Sequence, residues 1–124
     1  MEAPTGPRLC LEVDEQVVTF DPSLKTDSEA RLCLGGSAGN DLVCEQSFAS
    51  REHAYIEYKN NDFYLVDCST NGTVVQTEDN AVVHIHRDRL RLWGQGWIAL
   101  GEAVTTSTCK IYFFQPQRAN HAVD

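Results

Sequence analysis

Two segments carry the side chains best suited to chemistry. One is Ser50-Arg51-Glu52-His53-Ala54; the other is Asp67-Cys68-Ser69-Thr70-Asn71-Gly72-Thr73. They bracket a hairpin running from Tyr55 to Val66, so both end at one end of a β-sheet. Together they offer hydroxyls, a carboxamide and a guanidinium. Hydroxyls and amides donate hydrogen bonds, and a guanidinium adds a fixed positive charge. That set suits the gripping of an anion, and a phosphate on a peptide fits it best.

Three other constellations compete. Ser50, His53 and Asp67 have the residue types of a hydrolytic triad. A triad needs its base on the nucleophile and its acid on the base. Ser50 and His53 lie on one tight segment, and no Gly-x-Ser-x-Gly elbow is present. Whether a ring nitrogen of His53 can face Ser50 Oγ in an open pocket decides the matter. His84 and His86 share one face of a strand, because side chains repeat every two residues. His121 could join them only if the tail folded back, and no spacing names further ligands. They read as a solvent-facing pair, and no metal or other cofactor is expected. Arg87, Arg89 and Arg91 alternate with Asp88, Leu90 and Leu92, a basic stripe that reads as a solvated, ion-paired face.

The elements that must position these residues are short and extended. Leu9, Leu11 and Val13 alternate with polar neighbours, the period of a half-buried strand. Asp14-Glu15 is a turn, and Gln16 to Phe20 returns. Arg31 to Leu34 and Asp41 to Glu45 are brief strands either side of a glycine-rich loop. Ala54, Ile56 and Tyr58 alternate with Tyr55, Glu57 and Lys59. Asn60-Asn61-Asp62 turns the chain into Phe63 to Val66, the clearest hairpin in the sequence. Val74-Val75, Val82 to His86, Arg89 to Trp93, Trp97 to Leu100 and Lys110 to Gln115 complete the set. Gly94-Gln95-Gly96 is expected as a hairpin turn, with Trp93 and Trp97 packing the end of the fold or forming an exposed patch. No segment of a dozen residues carries a sustained 3.6-residue apolar stripe. Ten to eleven short strands at this spacing predict an all-β antiparallel sandwich or barrel.

Composition bounds the function. The chain has 124 residues, 42% of them hydrophobic and 23% charged, enough for one domain with its own core. Residues 8–115 are expected to form it, between a flexible start at 1–7 and a polar tail at 116–124. Ten Lys and Arg face 18 Asp and Glu, a net charge of −8. That disfavours nucleic acid and anionic membrane as partners, since affinity for a phosphate backbone comes from neutralising it with cations. No window approaches 18 unbroken apolar residues, so no membrane span is expected. Met1-Glu2-Ala3-Pro4 does not begin a basic, then apolar, export signal, so a cytoplasmic setting is expected. Five cysteines, an odd number with no C-x-x-C spacing, then read as reduced thiols packed as small hydrophobes.

In the order Gly35-x4-Asn40-Asp41, Ser50-Arg51-x-His53, Asp67-x2-Thr70-Asn71-Gly72-Thr73 and Leu100-Gly101, residues 8 to 115 resemble a forkhead-associated (FHA) domain. The resemblance implies a β-sandwich that binds phosphothreonine peptides through loops at one end, a non-catalytic signalling module. It implies that Ser50 bonds the phosphate and that Arg51 approaches phosphate or peptide. Thr70 and Asn71 hold the peptide, while Gly36 and Ser37 lie on the remaining loop. His53, Gly35 and Gly72 support the loops, Gly72 by permitting positive φ. Residues 87–101 are more loosely similar to the C-terminal half of FHA modules attached to bacterial nucleotide cyclases; this chain contains no cyclase domain.

One departure stands out. FHA domains usually carry Gly-Arg where this chain has Gly35-Gly36. A charge-assisted hydrogen bond contributes about 1.5–3 kcal/mol, so its loss weakens binding by roughly ten- to a hundredfold. Arg51 or Arg31 could compensate, the domain could bind phosphopeptides weakly, or it could bind an unphosphorylated partner or adjoining domain. The last is the phosphate-independent alternative.

Overall fold

The computed structural model describes residues 8–22, 31–45, 48–107 and 109–116. The expected flexible start, all of the expected tail except Pro116, and His121 lie outside these residues. Eleven strands are present among the described residues: β1 (Leu9–Val13), β2 (Gln16–Phe20), β3 (Arg31–Gly35), β4 (Leu42–Val43), β5 (Ala54–Lys59), β6 (Asp62–Asp67), β7 (Thr73–Gln76), β8 (Val82–Ile85), β9 (Arg89–Leu92), β10 (Gln95–Leu100) and β11 (Lys110–Phe114). They form two sheets, in the orders β2-β1-β11-β10-β7-β8 and β4-β3-β5-β6-β9. This is the expected all-β sandwich. Its pairing is antiparallel except between β3 and β4, which run parallel.

Alternation places the core. Leu9, Leu11 and Val13 are buried on one side of β1. Ile56, Leu65, Ile98, Ile111 and Phe113 are buried on their own strands. Full burial of each such side chain contributes about 1.5–3 kcal/mol. Phe20 of the first sheet meets Phe63 of the second edge-to-face, ring centroids 5.7 Å apart. The β5–β6 hairpin turns through Asn60 (φ 54°) and Asn61 (φ 70°). Two successive positive φ angles match the right-handed twist of the strands they join, and Asn tolerates them well.

Two expectations change. Gly94 does not close a hairpin: β9 pairs with β6 in one sheet and β10 with β11 and β7 in the other. The chain crosses between sheets there, which period-two patterning does not reveal. Cys44 and Cys109 form a disulfide, Cα atoms 6.1 Å apart across 65 positions, contrary to the expected set of reduced thiols. The end of β4 and the start of β11 bring them together, a tertiary proximity with no local signature. Cys10, Cys33 and Cys68 are free. No helix among the described residues is long and apolar enough to cross a membrane.

Candidate phosphopeptide-binding loops

Three loops meet at one end of the sandwich: residues 36–41 after β3, residues 48–53 before β5, and residues 68–72 after β6. Backbone bonds tie the first to the second, with Gly36 N donating to Ser50 O at 2.9 Å and Ser37 N to Arg51 O at 3.3 Å. Asn40 locks the pair. Its Nδ2 donates to Arg51 O at 2.7 Å and to Ser37 O at 2.9 Å. Ser37 Oγ also donates to Arg51 O, at 3.2 Å.

Gly35 and Gly36 differ in what they tolerate. A Cβ on Gly35 would lie 2.2 Å from Arg51 O, so only glycine fits. A Cβ on Gly36 would meet backbone oxygens at 3.5 Å and beyond, ordinary contact distances. Position 36 therefore accepts a Cβ without a clash.

The second and third loops are joined by His53 and Asp67. The His53 ring is 0% exposed. Its Nδ1 accepts the Ser50 amide proton at 2.9 Å, so Nε2 carries the ring hydrogen and donates to Gly72 O at 2.8 Å. Burial pushes its pKa below the ordinary value, against the bond to Gly72 and the charge of Asp67. Both ring nitrogens are thus committed to backbone, and neither serves Ser50 Oγ. This geometry does not build a triad.

Asp67, 2% exposed, gathers the third loop. Its Oδ1 accepts from Ser69 Oγ at 2.7 Å and Thr73 Oγ1 at 2.6 Å. Its Oδ2 accepts from Arg87 N at 2.8 Å and Ser69 N at 3.2 Å. Burial alone would raise its pKa; hydrogen bonds from Thr73, Arg87 and Ser69 outweigh that and hold it below the usual carboxylate range. Ser69 Oγ in turn accepts from Gly72 N at 2.8 Å. Gly72 sits at φ +87°, which glycine adopts freely.

The exposed rim is where a ligand could touch. Thr70 N donates to Ser50 Oγ at 3.2 Å. The Ser50 oxygen thus serves as acceptor, and among the described residues its own proton has no acceptor. Asn71 Nδ2 donates to Phe48 O at 3.2 Å, placing the carboxamide beside the same segment. Phe48, 50% exposed, flanks them. Arg51 is exposed, and among the described residues its guanidinium has no hydrogen-bond or ion-pair partner. Arg31 stacks its Cζ 4.1 Å over the Tyr55 ring on the outer face of the second sheet. That pair lines, with Ser37, Gly39, Asn40 and Glu52 among others, a concavity of about 460 Å³ that adjoins the first loop.

The structure brings Gly35, Gly36, Ser37, Ser50, Arg51, His53, Thr70, Asn71 and Gly72 to these three loops. Sequence reasoning passed over Asn40 as a lock, Asp67 as a hub and Arg87 as a contact of the third loop. Asp67-x-Ser69, a short polar side chain two residues before an amide, was a legible turn signal; nothing local points to Arg87. His84 and His86 are exposed, and no group of three metal-ligating side chains occurs among the described residues. The basic stripe is partly as expected. Arg89 pairs with Glu57 at 3.3 Å and Arg91 with Asp62 at 3.6 Å, while Arg87 lies in the turn before β9.

Residues 32–92 match the family described as FHA domain. No curated protein matches the sequence. Among solved structures, the chain is similar to the FHA-1 domain of Mycobacterium tuberculosis Rv1747, at 13% identity and TM-score 0.67, covering 91% of this chain and 100% of that one. It is similar to the N-terminal FHA domain of S. cerevisiae Rad53p, solved with a phosphothreonine peptide, at 18% identity and TM-score 0.67, covering 88% and 94%. An engineered FHA domain with a Myc-pTBD peptide is 18% identical with TM-score 0.69, covering 91% and 94%. The shared sandwich and the match across β3 to β9 agree: residues 32–92 belong to the FHA domain family, and the chain as a whole has its fold.

Proposed function

We propose that residues 8–115 form a recognition module that binds a phosphothreonine-containing peptide across the loops at 36–40, 50–51 and 70–71. FHA domains are in general non-catalytic interaction modules, and we extend that to this chain. In this reading Ser50 and Arg51 touch the phosphate, Thr70 and Asn71 hold the peptide, and Gly36 and Ser37 line its path. His53, Gly35 and Gly72 keep the loops in place. The observation that carries it is the rim geometry. Ser50 Oγ accepts from Thr70 N, so its proton is left for an acceptor, and among the described residues the neighbouring Arg51 guanidinium has no hydrogen-bond or ion-pair partner. A phosphate supplies strong acceptors and the opposite charge.

Gly36 weakens the site in this account, because no guanidinium enters from the first loop. Calorimetry with a phosphothreonine peptide library tests the reading. Binding that requires the phosphate and falls on Ser50→Ala supports it; no binder, with or without Gly36→Arg, refutes it. The alternative is a phosphate-independent structural or regulatory domain, for a partner such as a nucleotide cyclase. It predicts that Ser50→Ala and Asn71→Ala leave partner binding intact. A cytoplasmic setting belongs to the same proposal, and fractionation of cells expressing the tagged chain would test it.

A further inference from the structure

The Ser69–Thr70 peptide unit is held at both ends. Its carbonyl accepts from Arg87 Nε at 3.3 Å, and its amide donates to Ser50 Oγ at 3.2 Å. The chain of donors points one way: Arg87 Nε–H to the Ser69 carbonyl, Thr70 N–H to Ser50 Oγ, and the Ser50 hydroxyl outward. Hydrogen bonds aligned in series polarise one another, and a cation at the head strengthens every donor after it.

Arg87 is built into place for this contact. Its backbone takes φ 58°, a left-handed conformation uncommon outside glycine. Its main-chain N–H is tied to Asp67 Oδ2 at 2.8 Å, and that carboxylate also accepts both the amide and the hydroxyl of Ser69. One buried carboxylate therefore sets donor and acceptor relative to each other. The carboxylates nearby have other commitments: Asp67 accepts four hydrogen bonds, Asp88 Oδ1 accepts from Arg89 N at 2.8 Å, and Glu57 pairs with Arg89.

We infer that Arg87 is a positioning residue of the anion site, polarising the Ser69–Thr70 peptide unit so that Ser50 becomes a stronger donor to the bound phosphate. This rests on the proposed phosphopeptide reading. It places in the turn before β9 part of the positive influence that position 36 does not supply. Arg87 need not touch the ligand.

The test is a double-mutant cycle between Arg87→Gln and Ser50→Ala. Gln keeps a neutral donor within reach of Ser69 O and removes the charge. Dissociation constants for one phosphothreonine peptide are measured by calorimetry. The Thr70 amide proton shift is measured in the ligand-free proteins. Arg87→Gln should weaken binding about two- to fourfold, the share expected when series polarisation is lost from a charge-assisted bond. In the Ser50→Ala background the same change should have no further effect. The Thr70 amide should move upfield in Arg87→Gln with the melting temperature unchanged. Equal weakening in both backgrounds would mean direct contact with the peptide and would overturn the inference, as would unchanged affinity. If the unaltered protein binds no phosphopeptide, the proposed function fails instead. The ligand-free amide then still decides: a Thr70 shift unmoved by Arg87→Gln overturns the relay, and an upfield move supports it.

Discussion

His53 bonds Ser50 N through one ring nitrogen and Gly72 O through the other, so a single buried imidazole spans two loops 19 residues apart at its far contact. Gly72 O also accepts from Gly101 N at 3.0 Å. The neutral ring with hydrogen on Nε2 satisfies both partners. A protonated ring would point a second N–H at the Ser50 amide, setting donor against donor.

That geometry sets a pH dependence. The folded pKa of His53 lies below its ordinary value of about 6.5. The unfolded chain therefore takes up the proton first, and stability falls as pH drops below that value. Asp67 acts the same way lower down: its folded pKa lies below about 3.8, so its contribution holds above that value and is lost as pH falls through the folded pKa. Melting temperature should decline in two stages on acidification. The Ser50 amide resonance of the free protein should shift with the first, which separates His53 from the phosphate's own ionisation near pH 6.

Gly36→Arg should strengthen phosphothreonine-peptide binding by roughly ten- to a hundredfold, the value of one added charge-assisted hydrogen bond. The backbone tolerates a side chain there, since a Cβ meets nothing closer than 3.5 Å. Gly35→Ala, one residue earlier, should destabilise the fold instead, because its Cβ would press on Arg51 O at 2.2 Å. Calorimetry reads the first and thermal unfolding the second.

Asp67→Ala should cost about 3 kcal/mol or more, because it leaves buried donors of Ser69 and Thr73 without an acceptor. Denaturant unfolding measures the loss. Peptide affinity should fall as well, since the third loop is folded around that carboxylate.

Reduction of Cys44–Cys109 should lower stability by about 4 kcal/mol in the chain-entropy description of a loop closed over 65 positions. Cys44 N donates to Gly35 O at 2.8 Å, so the same bond anchors the base of the first binding loop. Unfolding in the presence and absence of a dithiol reductant, with a thiol count on each sample, reports the difference.

Much of this was legible beforehand because strand alternation and turn residues act locally. The Ala54–Asp67 hairpin follows from its period and from Asn60-Asn61. The meeting of Ser50 with Thr70, and of Asn71 with the same segment at Phe48, follows from the hairpin that separates them, since its two ends must lie together. What escaped depends on distant contacts. Gly94 looks like a hairpin turn until the neighbours of β9 and β10 are known. Cys44 and Cys109 carry no shared motif. Asp67 signals in sequence only its bonds to Ser69, not those from Thr73 and Arg87, and Arg87 reaches Ser69 only because the turn between β8 and β9 folds over the end of β6.

The most direct test of the central claim is a matched calorimetric titration with one threonine peptide in phosphorylated and unphosphorylated form, on the unaltered domain and on Ser50→Ala. The account predicts binding of the phosphorylated form at least about tenfold tighter than its twin, the weight of a hydrogen bond to a charged group, and loss of most of that margin in Ser50→Ala. Equal affinity for the two forms, or a margin that survives Ser50→Ala intact, would contradict it.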